Sequence, residues 1–570
     1  MRSIVIVDLL STGFNYVTDI IQRGYHPVIM ETITISRSSV YEEVKEYYKK
    51  LDPASTIIKE KNSYEETLDE VKKYDPVLVL PGTESGVVLA NRLAYDLGLP
   101  CNDINYIEAM TQKNAMHEAL KKAGIRYIRG KVVASSDEAV SFCRENGFEK
   151  AVVKPVQSAG SSGLFLCDDI TQVYEAVSTL LTTKDFVGKT FEKVMVQERI
   201  FGIEYIVNTV SRDGEHRLNS MARYEKIKTR NGHYIYDYAY YIDKMEPGYA
   251  EMVEYAFKVA DAIHYKNGPI HGEYMIDEKG PVLIEVNCRP MGGSQPAEYM
   301  DLITGQHETD SVLDALLDPV KFKADCEKPY RLRRVGAFKF IIVKEDIDAE
   351  DSPVREVARQ LSSTYMISGA DPETPKYYHQ TIDLDSNGGV IFMVNKDKKL
   401  LNEELELIRC VEQRFFQFLI NDGTSRRIIP KTDSYDEEPE DIIDSCKCHG
   451  SILVAADEKR ELEGCQCVTK DILKEARRGF DNVIIMYKNS LTGLSESACL
   501  RLIFDTMELV REGGRVIVPQ GTYDFISYKR QGMEELMNIK GFMVEPPRKE
   551  SAGKVIGTRV KIGGYGVTAL

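Results

Sequence analysis

A chain of 570 residues exceeds what one hydrophobic core supports, so roughly three to five domains are expected. With 43% hydrophobic and 28% charged residues it has a soluble globular composition, and a formal net charge of −16 argues against nucleic acid and anionic membranes as partners. The sequence shows no N-terminal signal pattern and no run of about 18 apolar residues, and its eleven cysteines are scattered, so a cytoplasmic protein with reduced thiols is expected.

RSIVIVDLL is a short apolar strand, and STGFNYVTDIIQRGYHPVIM continues with a turn, an amphipathic helix and a second strand. DPVLVLPGTESGVVLANRLAYDLGLPCN repeats strand, turn and helix, which predicts a parallel, Rossmann-like α/β domain over residues 1–112. A helical piece follows from about Asn114 to Gly130, then mixed strands and helices to about Ser211. The tyrosine-rich RYEKIKTRNGHYIYDYAYYID has no clear period and is expected to be a mobile loop. A helix then leads into HGEYMIDEKGPVLIEVNCRP, which reads as a hairpin turning at Glu-Lys-Gly. Mixed α/β sequence continues to about Asp422. The acidic, proline-containing stretch 430–445 reads as a linker, and a last α/β unit occupies 446–570.

The hairpin carries the densest chemistry. Residues two apart on a strand share a face, so Glu285, Asn287 and Arg289 line one side while Val286 and Cys288 line the other. The partner strand presents His271, Glu273 and Met275 together. Two carboxylates and an amide oxygen suit a hard cation, Mg²⁺ with Mn²⁺ as the alternative, and Arg289 beside them would meet phosphate oxygens. Upstream, Lys154 ends an apolar strand before Ser158-Ala159-Gly160-Ser161-Ser162-Gly163, whose small residues allow backbone N–H groups to approach phosphate closely. In VMVQERIFGIEYIV a strand reaches Gln197, Glu198 and Ile200, breaks at Gly202 and resumes after Glu204; such a connection can offer backbone groups to adenine and a carboxylate to ribose.

In this order, EAMTQKNAMHEAL with Lys113, Lys154, the Ser/Gly loop, QERIFGIE, HGEYM and LIEVNCRPMGG resemble the ATP-grasp superfamily over roughly residues 1–422. The resemblance implies a preATP-grasp domain (1–112) and an ATP-grasp domain (113–310), the latter with a lid at about 131–200 and a catalytic core at about 201–310. An associated region (311–429) would follow. It implies Lys113 and Lys154 at the α- and β-phosphates, and Ser158, Gly160, Ser161, Ser162 and Gly163 closing over them. Gln197, Glu198 and Ile200 would lie at adenine, Glu204 at ribose, and Glu273, Glu285 and Asn287 on Mg²⁺. Arg289 would stabilise the transferring phosphoryl group. The implied reaction converts a carboxylate and ATP into an acyl phosphate, which an amine attacks to give an amide, ADP and phosphate.

VDLLSTGFN, PGTESGVVLANRLAYDLGLPCN and NCRPMGG resemble the L-amino-acid ligase branch (bacilysin synthetase-like) of carboxylate–amine ligases. His271 stands where D-alanine–D-alanine ligases carry an arginine, which weakens that reading, and no AMKM biotin-attachment motif is present. Glu84, Arg223, His271, Gly292 and Gly293 are candidate contacts to small-molecule carboxylate and amine substrates, and a homodimer is expected. A bicarbonate-activating carboxylase is the alternative within the fold. A non-catalytic nucleotide-binding scaffold is the alternative outside it, and would lack a metal ligand or the arginine, whereas all are present.

The C-terminal unit, with GFDNVIIM, REGGRVIVP and NIKGFMVEP, resembles the latter half of class I methyltransferases. Its first loop, SILVAADEKRELEG, lacks GxGxG, so a degenerate domain without S-adenosylmethionine chemistry is expected. Cys446, Cys448 and His449, with Cys465 and Cys467, use C-x-C spacing rather than the C-x₂₋₄-C of structural zinc sites, and zinc is not expected.

Overall fold

The computed structural model describes residues 1–156, 163–183, 190–228, 234–244, 246, 248–343, 347–348, 354–368, 377–382, 384, 386–418, 438–487, 489–491, 496–519, 522, 533–534, 537, 542–544 and 554–559. Two compact units divide the chain: Met1–Phe338 with Asp383–Asp385, and Lys339–Ile382 with Ser386–Leu570. Residues 311–338 lie in the first unit. The expected loop closure at Ser158, Gly160, Ser161 and Ser162 falls outside the described residues.

The first unit opens with four parallel strands, β1 (Ser3–Val7), β2 (His26–Glu31), β3 (Thr56–Lys59) and β4 (Pro76–Pro81), ordered β3-β2-β1-β4. β1 is buried throughout, and apolar from Ile4 to Val7, because both its faces are covered. Ile4 and Ile6 join a core with helix α1 (Asn15–Gln22), while Val5 and Val7 pack on the opposite side with Ala90, Leu93 and Ala94. Gly82 follows β4; a Cβ there would meet the Asp8 carbonyl oxygen at 2.3 Å, so this close turn requires glycine. Helix α2 (Tyr41–Lys49) comes from this domain, as does α3 (Val87–Asp96); α4 (Lys113–Lys122) leads out of it.

The next sheet is antiparallel, with β5 (Gly130–Val133), β6 (Ala151–Pro155), β7 (Phe165–Cys167) and β8 (Val194–Glu198) in the order β5-β8-β6-β7. Helices α5 (Ser136–Glu145) and α6 (Ile170–Leu180) cover it. Val173, Ala176, Val177 and Leu180 form the buried stripe of α6 at the spacing of one helix face.

The third sheet orders β9 (Ile203–Arg212), β10 (Glu215–Lys228), β11 (Tyr234–Tyr241), β12 (Gly268–Asp277) and β13 (Gly280–Asn287) as β13-β12-β9-β10-β11. The tyrosine-rich stretch was expected to be a mobile loop; outside residues 229–233, which are not described, it belongs largely to the paired strands β10 and β11, with Ala222 opposite Tyr241 and Tyr224 opposite Ala239. Its alternation was masked because tyrosines occupy both faces and a bulge interrupts the register between Glu225 and Lys226. Helix α7 (Tyr249–Ala262) precedes β12, and α8 (Glu308–Leu317) packs into the core that holds Ile4, Ile6 and Val210.

In the second unit, β14 (Thr364–Ser368) pairs antiparallel with β15 (Val390–Asn395), and α9 (Lys398–Phe418) follows. Buried Lys339 donates to both oxygens of buried Glu412 at 2.7 Å. Residues 430–437 of the expected linker lie outside the described residues, and Pro439–Ser445 is a helix, α10, with proline in its first turn. The last sheet contains β16 (Ile452–Ala456), β17 (Cys465–Val468), β18 (Phe480–Met486), β19 (Val510–Pro519), β20 (Phe542–Val544) and β21 (Lys554–Arg559), ordered β17-β16-β18-β19-β21-β20. Its first four strands are parallel; β21 runs antiparallel to both its neighbours. The described cysteines are free thiols, and among the described residues no helix is long and apolar enough to cross a membrane.

One ionic clamp joins α1 to the start of α8. His307 Nε2 bonds Asp19 at 3.0 Å, its Nδ1 bonds Asp301 at 2.9 Å, and Thr309 donates to Asp19 at 2.6 Å. Asp19, His307 and Asp310 form the one trio of His, Cys, Asp or Glu side chains among the described residues whose ligand atoms all lie within 4.8 Å of one another, as a metal ion would need. However, Arg23 already holds Asp310, and both His307 nitrogens face carboxylates, so the group is a charged histidine clamp. Burial opposes that charge, but the hydrogen bonds to Asp19 and Asp301 outweigh it and push His307 up to about 10. Because the folded value exceeds the ordinary one near 6.5, this stabilisation is complete below about pH 6.5 and is lost as pH rises toward 10. Thermal unfolding against pH is expected to show wild-type stability falling across that window, and His307→Gln is expected to be less stable at pH 6 and flatter above it.

Candidate active site

Cross-strand register assembles the site. Glu273 on β12 lies directly opposite Glu285 on β13, and His271 opposite Asn287; across the other edge of β12, Glu273 faces Ile206 and His271 faces Asn208 on β9. Residues paired this way project to one side of the sheet. A bulge follows, because Tyr274 pairs with Leu283 and leaves Ile284 extra. Strict alternation would put Leu283 on the same face as Glu285. The bulge instead sends Leu283 into the core while Glu285 remains on the site face. Val286 and Cys288 are buried, as their positions in the strand predict.

Two lysines meet this acidic face. Lys113, at the start of α4, places Nζ 2.9 Å from Glu285 Oε2. Lys154, near the end of β6, is only 4% exposed. Its burial, with Lys113 nearby, lowers it to about 8, against the opposing pull of Glu285, Glu273 and Glu204. For Glu285, burial would raise the carboxyl, but Lys113 and Lys154 hold it below the usual carboxylate range. Carboxylates directly opposite one another on adjacent strands repel, and a divalent cation between them would offset that repulsion. The donor set of Glu273, Glu285 and Asn287 therefore fits Mg²⁺, and the two lysines fit the phosphates that would accompany it.

Further along the same face, Glu204 accepts from Lys226 Nζ at 2.5 Å and from the Tyr236 hydroxyl at 2.9 Å. Burial raises its carboxyl, with Lys226 opposing. Gln197 on β8 is 2% exposed and its Nε2 has no partner, a donor available to a ligand. Glu198 points elsewhere, forming a two-pronged ion pair with Arg129 at 2.7 and 2.9 Å, and its N–H bonds the Arg129 carbonyl. Glu198 and Ile200 line a separate open groove of about 520 Å³ with Arg126 and Asp277. Gly163 has φ +73°, a conformation suited to glycine.

Glu84 lies 3.5 Å from Arg289 Nε; burial raises its carboxyl, and Arg289 and Lys113 oppose this. Beyond Arg289 the chain turns. A Cβ added at Gly292 or Gly293 would meet nothing within 4 Å, so open space adjoins the turn. Ser294 N–H donates to Ser11 at 2.8 Å, Gln295 N–H donates to Thr12 at 3.0 Å, and the hydroxyls of Tyr47 and Ser294 are 2.6 Å apart. The structure does not bring Arg223 to this place. Arg223 pairs with Tyr205, which alternates with Glu204, so it lies on the opposite face, held by Glu225 at 3.1 Å.

Sequence reasoning missed several members. His117 lies one turn after Lys113, is 3% exposed, and is lowered to about 3 by burial and by Lys154; its spacing of four from Lys113 on a helix was a usable signal. Asn208, a lone amide in the apolar run EYIVNTVS, accepts the His271 Nδ1 contact at 2.8 Å. Burial lowers His271, which favours its neutral form.

Comparison with known proteins agrees with this geometry. The ATP-grasp domain family model matches residues 148–298. The chain carries an ATP-grasp domain. Dapdiamide A synthase of Enterobacter agglomerans is 29% identical over 344 residues, 59% of this chain and 80% of that protein. Among solved structures, L-amino acid ligase from Bacillus licheniformis superposes with a TM-score of 0.55 at 15% identity, covering 72% of this chain and 97% of that one. An N5-carboxyaminoimidazole synthase from Aspergillus clavatus, in complex with ADP and 5-aminoimidazole ribonucleotide, gives 0.53 at 14% identity, covering 72% and 99%. The structural likenesses establish the mixed α/β ATP-grasp fold. The chain is an enzyme of the ATP-grasp ligase type, which forms carbon–nitrogen bonds.

Glu285→Ala is expected to cut ATP turnover by about 100-fold or more, since it would remove one of the carboxylates whose placement fits Mg²⁺. Cys288→Ala, on the back of the same strand, is expected to leave turnover nearly intact. Phosphate release at saturating MgATP separates them, and equal losses would mean that the face assignment is wrong.

Proposed function

We propose that this enzyme is an ATP- and Mg²⁺-dependent carboxylate–amine ligase working through an acyl phosphate, with an amino acid or another small carboxylic acid as the activated substrate. The observation that carries the reading is the convergence of Glu273, Glu285 and Asn287 with Lys113, Lys154 and Arg289 beside open space at Gly292–Gly293. A substrate carboxylate oxygen attacks the γ-phosphorus, the bond to the β,γ-bridging oxygen breaks, and ADP leaves. The amine nitrogen then attacks the acyl carbon and loses a proton, and phosphate departs with the former carboxylate oxygen.

In this scheme Glu273, Glu285 and Asn287 would hold Mg²⁺, which would draw charge from the phosphates. Lys113 and Lys154 bind the α- and β-phosphates, and Lys113 exchanges its ion pair with Glu285 for that contact. Arg289 faces the transferring group, oriented by Glu84. Gln197 offers its unpaired N–H to adenine, and Glu204, fixed by Lys226 and Tyr236, accepts from ribose hydroxyls. The chain needs no covalent nucleophile, because positioning and preorganised charge supply the acceleration. The names of the relatives, an amino acid ligase and dapdiamide A synthase, support an amino-acid-derived substrate. A screen of acid and amine pairs for phosphate release and for product by mass is expected to find turnover that needs both partners. Turnover that needs no organic acid, or that needs bicarbonate instead, would overturn the reading.

We also infer that residues 446–570 form a methyltransferase-like domain without methyl transfer. Support comes from the order β17-β16-β18-β19-β21-β20 with β21 antiparallel. In such open sheets ligands bind beyond the carboxyl ends of strands where the winding reverses, here between β16 and β18. Asp457, just past β16, accepts the N–H groups of Asn489 and Ser490, just past β18, at 2.7 Å each and so ties that crevice shut. Calorimetry of the full chain with S-adenosylmethionine is expected to show no binding heat; micromolar binding would refute the inference.

A further inference from the structure

Glu308 is the first residue of α8 and takes no part in the chemistry described so far. It is 6% exposed, and burial pushes its carboxyl up to about 7 against the opposing hydrogen bond from Met291 and the charge of Arg289. One oxygen, Oε2, accepts the Met291 N–H at 2.9 Å; the other, Oε1, has no partner. An acidic residue in the first turn of a helix favours the helix dipole from the surface. That role requires neither burial nor a bond to a distant loop, and a buried carboxylate with an unpaired oxygen is costly unless something depends on it.

What depends on it is the turn after Arg289. Met291 stands between Arg289 and the open Gly292–Gly293 edge, and its Sδ lies 3.4 Å from Asn208 Nδ2, the amide that also holds His271. From the far side, Ser294 and Gln295 are tied to Ser11 and Thr12. Glu308 therefore anchors the Met291 N–H from the inner side, while Arg289 holds the Pro290 carbonyl at 3.0 Å, within a buried neighbourhood that includes the unpartnered Tyr16 hydroxyl together with Tyr241 and Tyr265.

We propose that Glu308 is a positioning residue that shapes the Arg289–Gly293 turn for the acid and amine substrates, acting through the Met291 N–H rather than by touching substrate. The proposal rests on the ligase reading above and deepens it, because it separates the determinants of acid and amine binding from those of ATP binding. Glu308→Leu keeps apolar bulk and leaves the Met291 N–H unsatisfied. Glu308→Gln keeps an acceptor at the same reach.

The test compares wild type, Glu308→Leu and Glu308→Gln by steady-state kinetics on a productive acid–amine pair, and by hydrogen–deuterium exchange of the 286–296 segment. The leucine variant is expected to raise the KM of acid and amine about tenfold while the ATP KM stays within about twofold, and to exchange faster across 286–296. The glutamine variant is expected to match wild type within about threefold in both measurements. Should the leucine variant not fold, Glu308→Asp, one methylene too short for the Met291 bond, takes its place with the same expectations. Unchanged exchange, unchanged substrate KM, an equal rise in the ATP KM, or no rescue by glutamine would each overturn the proposal. If wild type couples no acid–amine pair at all, the ligase reading falls separately, and the exchange measurement still decides whether Glu308 holds the turn.

Discussion

The site is organised by an electrostatic conflict. Glu273 and Glu285 sit opposite one another on β12 and β13, where like charges repel; both interact with the buried Lys154, and the buried Lys113 pairs with Glu285. In the protein alone the conflict is moderated by Lys113 turning toward Glu285. A bound metal–triphosphate would resolve it more completely, because the cation takes the carboxylates and the phosphates take the lysines. Preorganised charges of this kind are costly to hold in a fold, and the surrounding sheets and helices supply the rigidity that keeps them there.

That rigidity is built by contacts between segments far apart in the chain. Asp19 on α1 bonds His307 ahead of α8, Ser11 and Thr12 bond the turn after Gly293, and Arg126 grips Asp277 at the tip of the β12–β13 hairpin with bonds of 2.6 and 2.8 Å. The parallel first domain thus contributes more than a scaffold, because it forms one wall of the space at Gly292–Gly293. Glu84, just after β4, brings a carboxylate from the same domain to Arg289.

Much of the site was legible because its pattern is local. Period-two spacing placed Glu285 and Asn287 on one face with Val286 and Cys288 behind, and the spacing held despite the bulge because the bulge at Ile284 precedes all four. The parallel strands of the first domain were legible from apolar runs too short for helices. Other features were decided by interactions that are not local. The Glu198 side chain points away from that of Gln197, because consecutive strand residues point oppositely and Arg129 takes its carboxylate. Arg223 was read as a substrate contact because its stretch resembled a basic loop; once that stretch is a strand, parity turns it away from Glu204. Asn208 was passed over because an isolated polar residue in an apolar stretch carries no sign of what it will face, and His117 and Glu308 because they stand among other polar residues from which nothing singles them out except, for His117, its spacing from Lys113.

The sequence by itself determined the types of charge available, the order of the strands and helices that carry them, and the face on which each residue of the β13 motif stands, since these depend on composition and on the local period of the backbone. Only the tertiary structure decided that Glu273 meets Glu285, that Lys113 reaches Glu285, that the described residues of the tyrosine-rich stretch pair as strands, and that Glu308 anchors Met291. Those outcomes depend on register, bulges and the docking of distant segments, where the free energy comes from pairings between residues that the sequence does not place side by side.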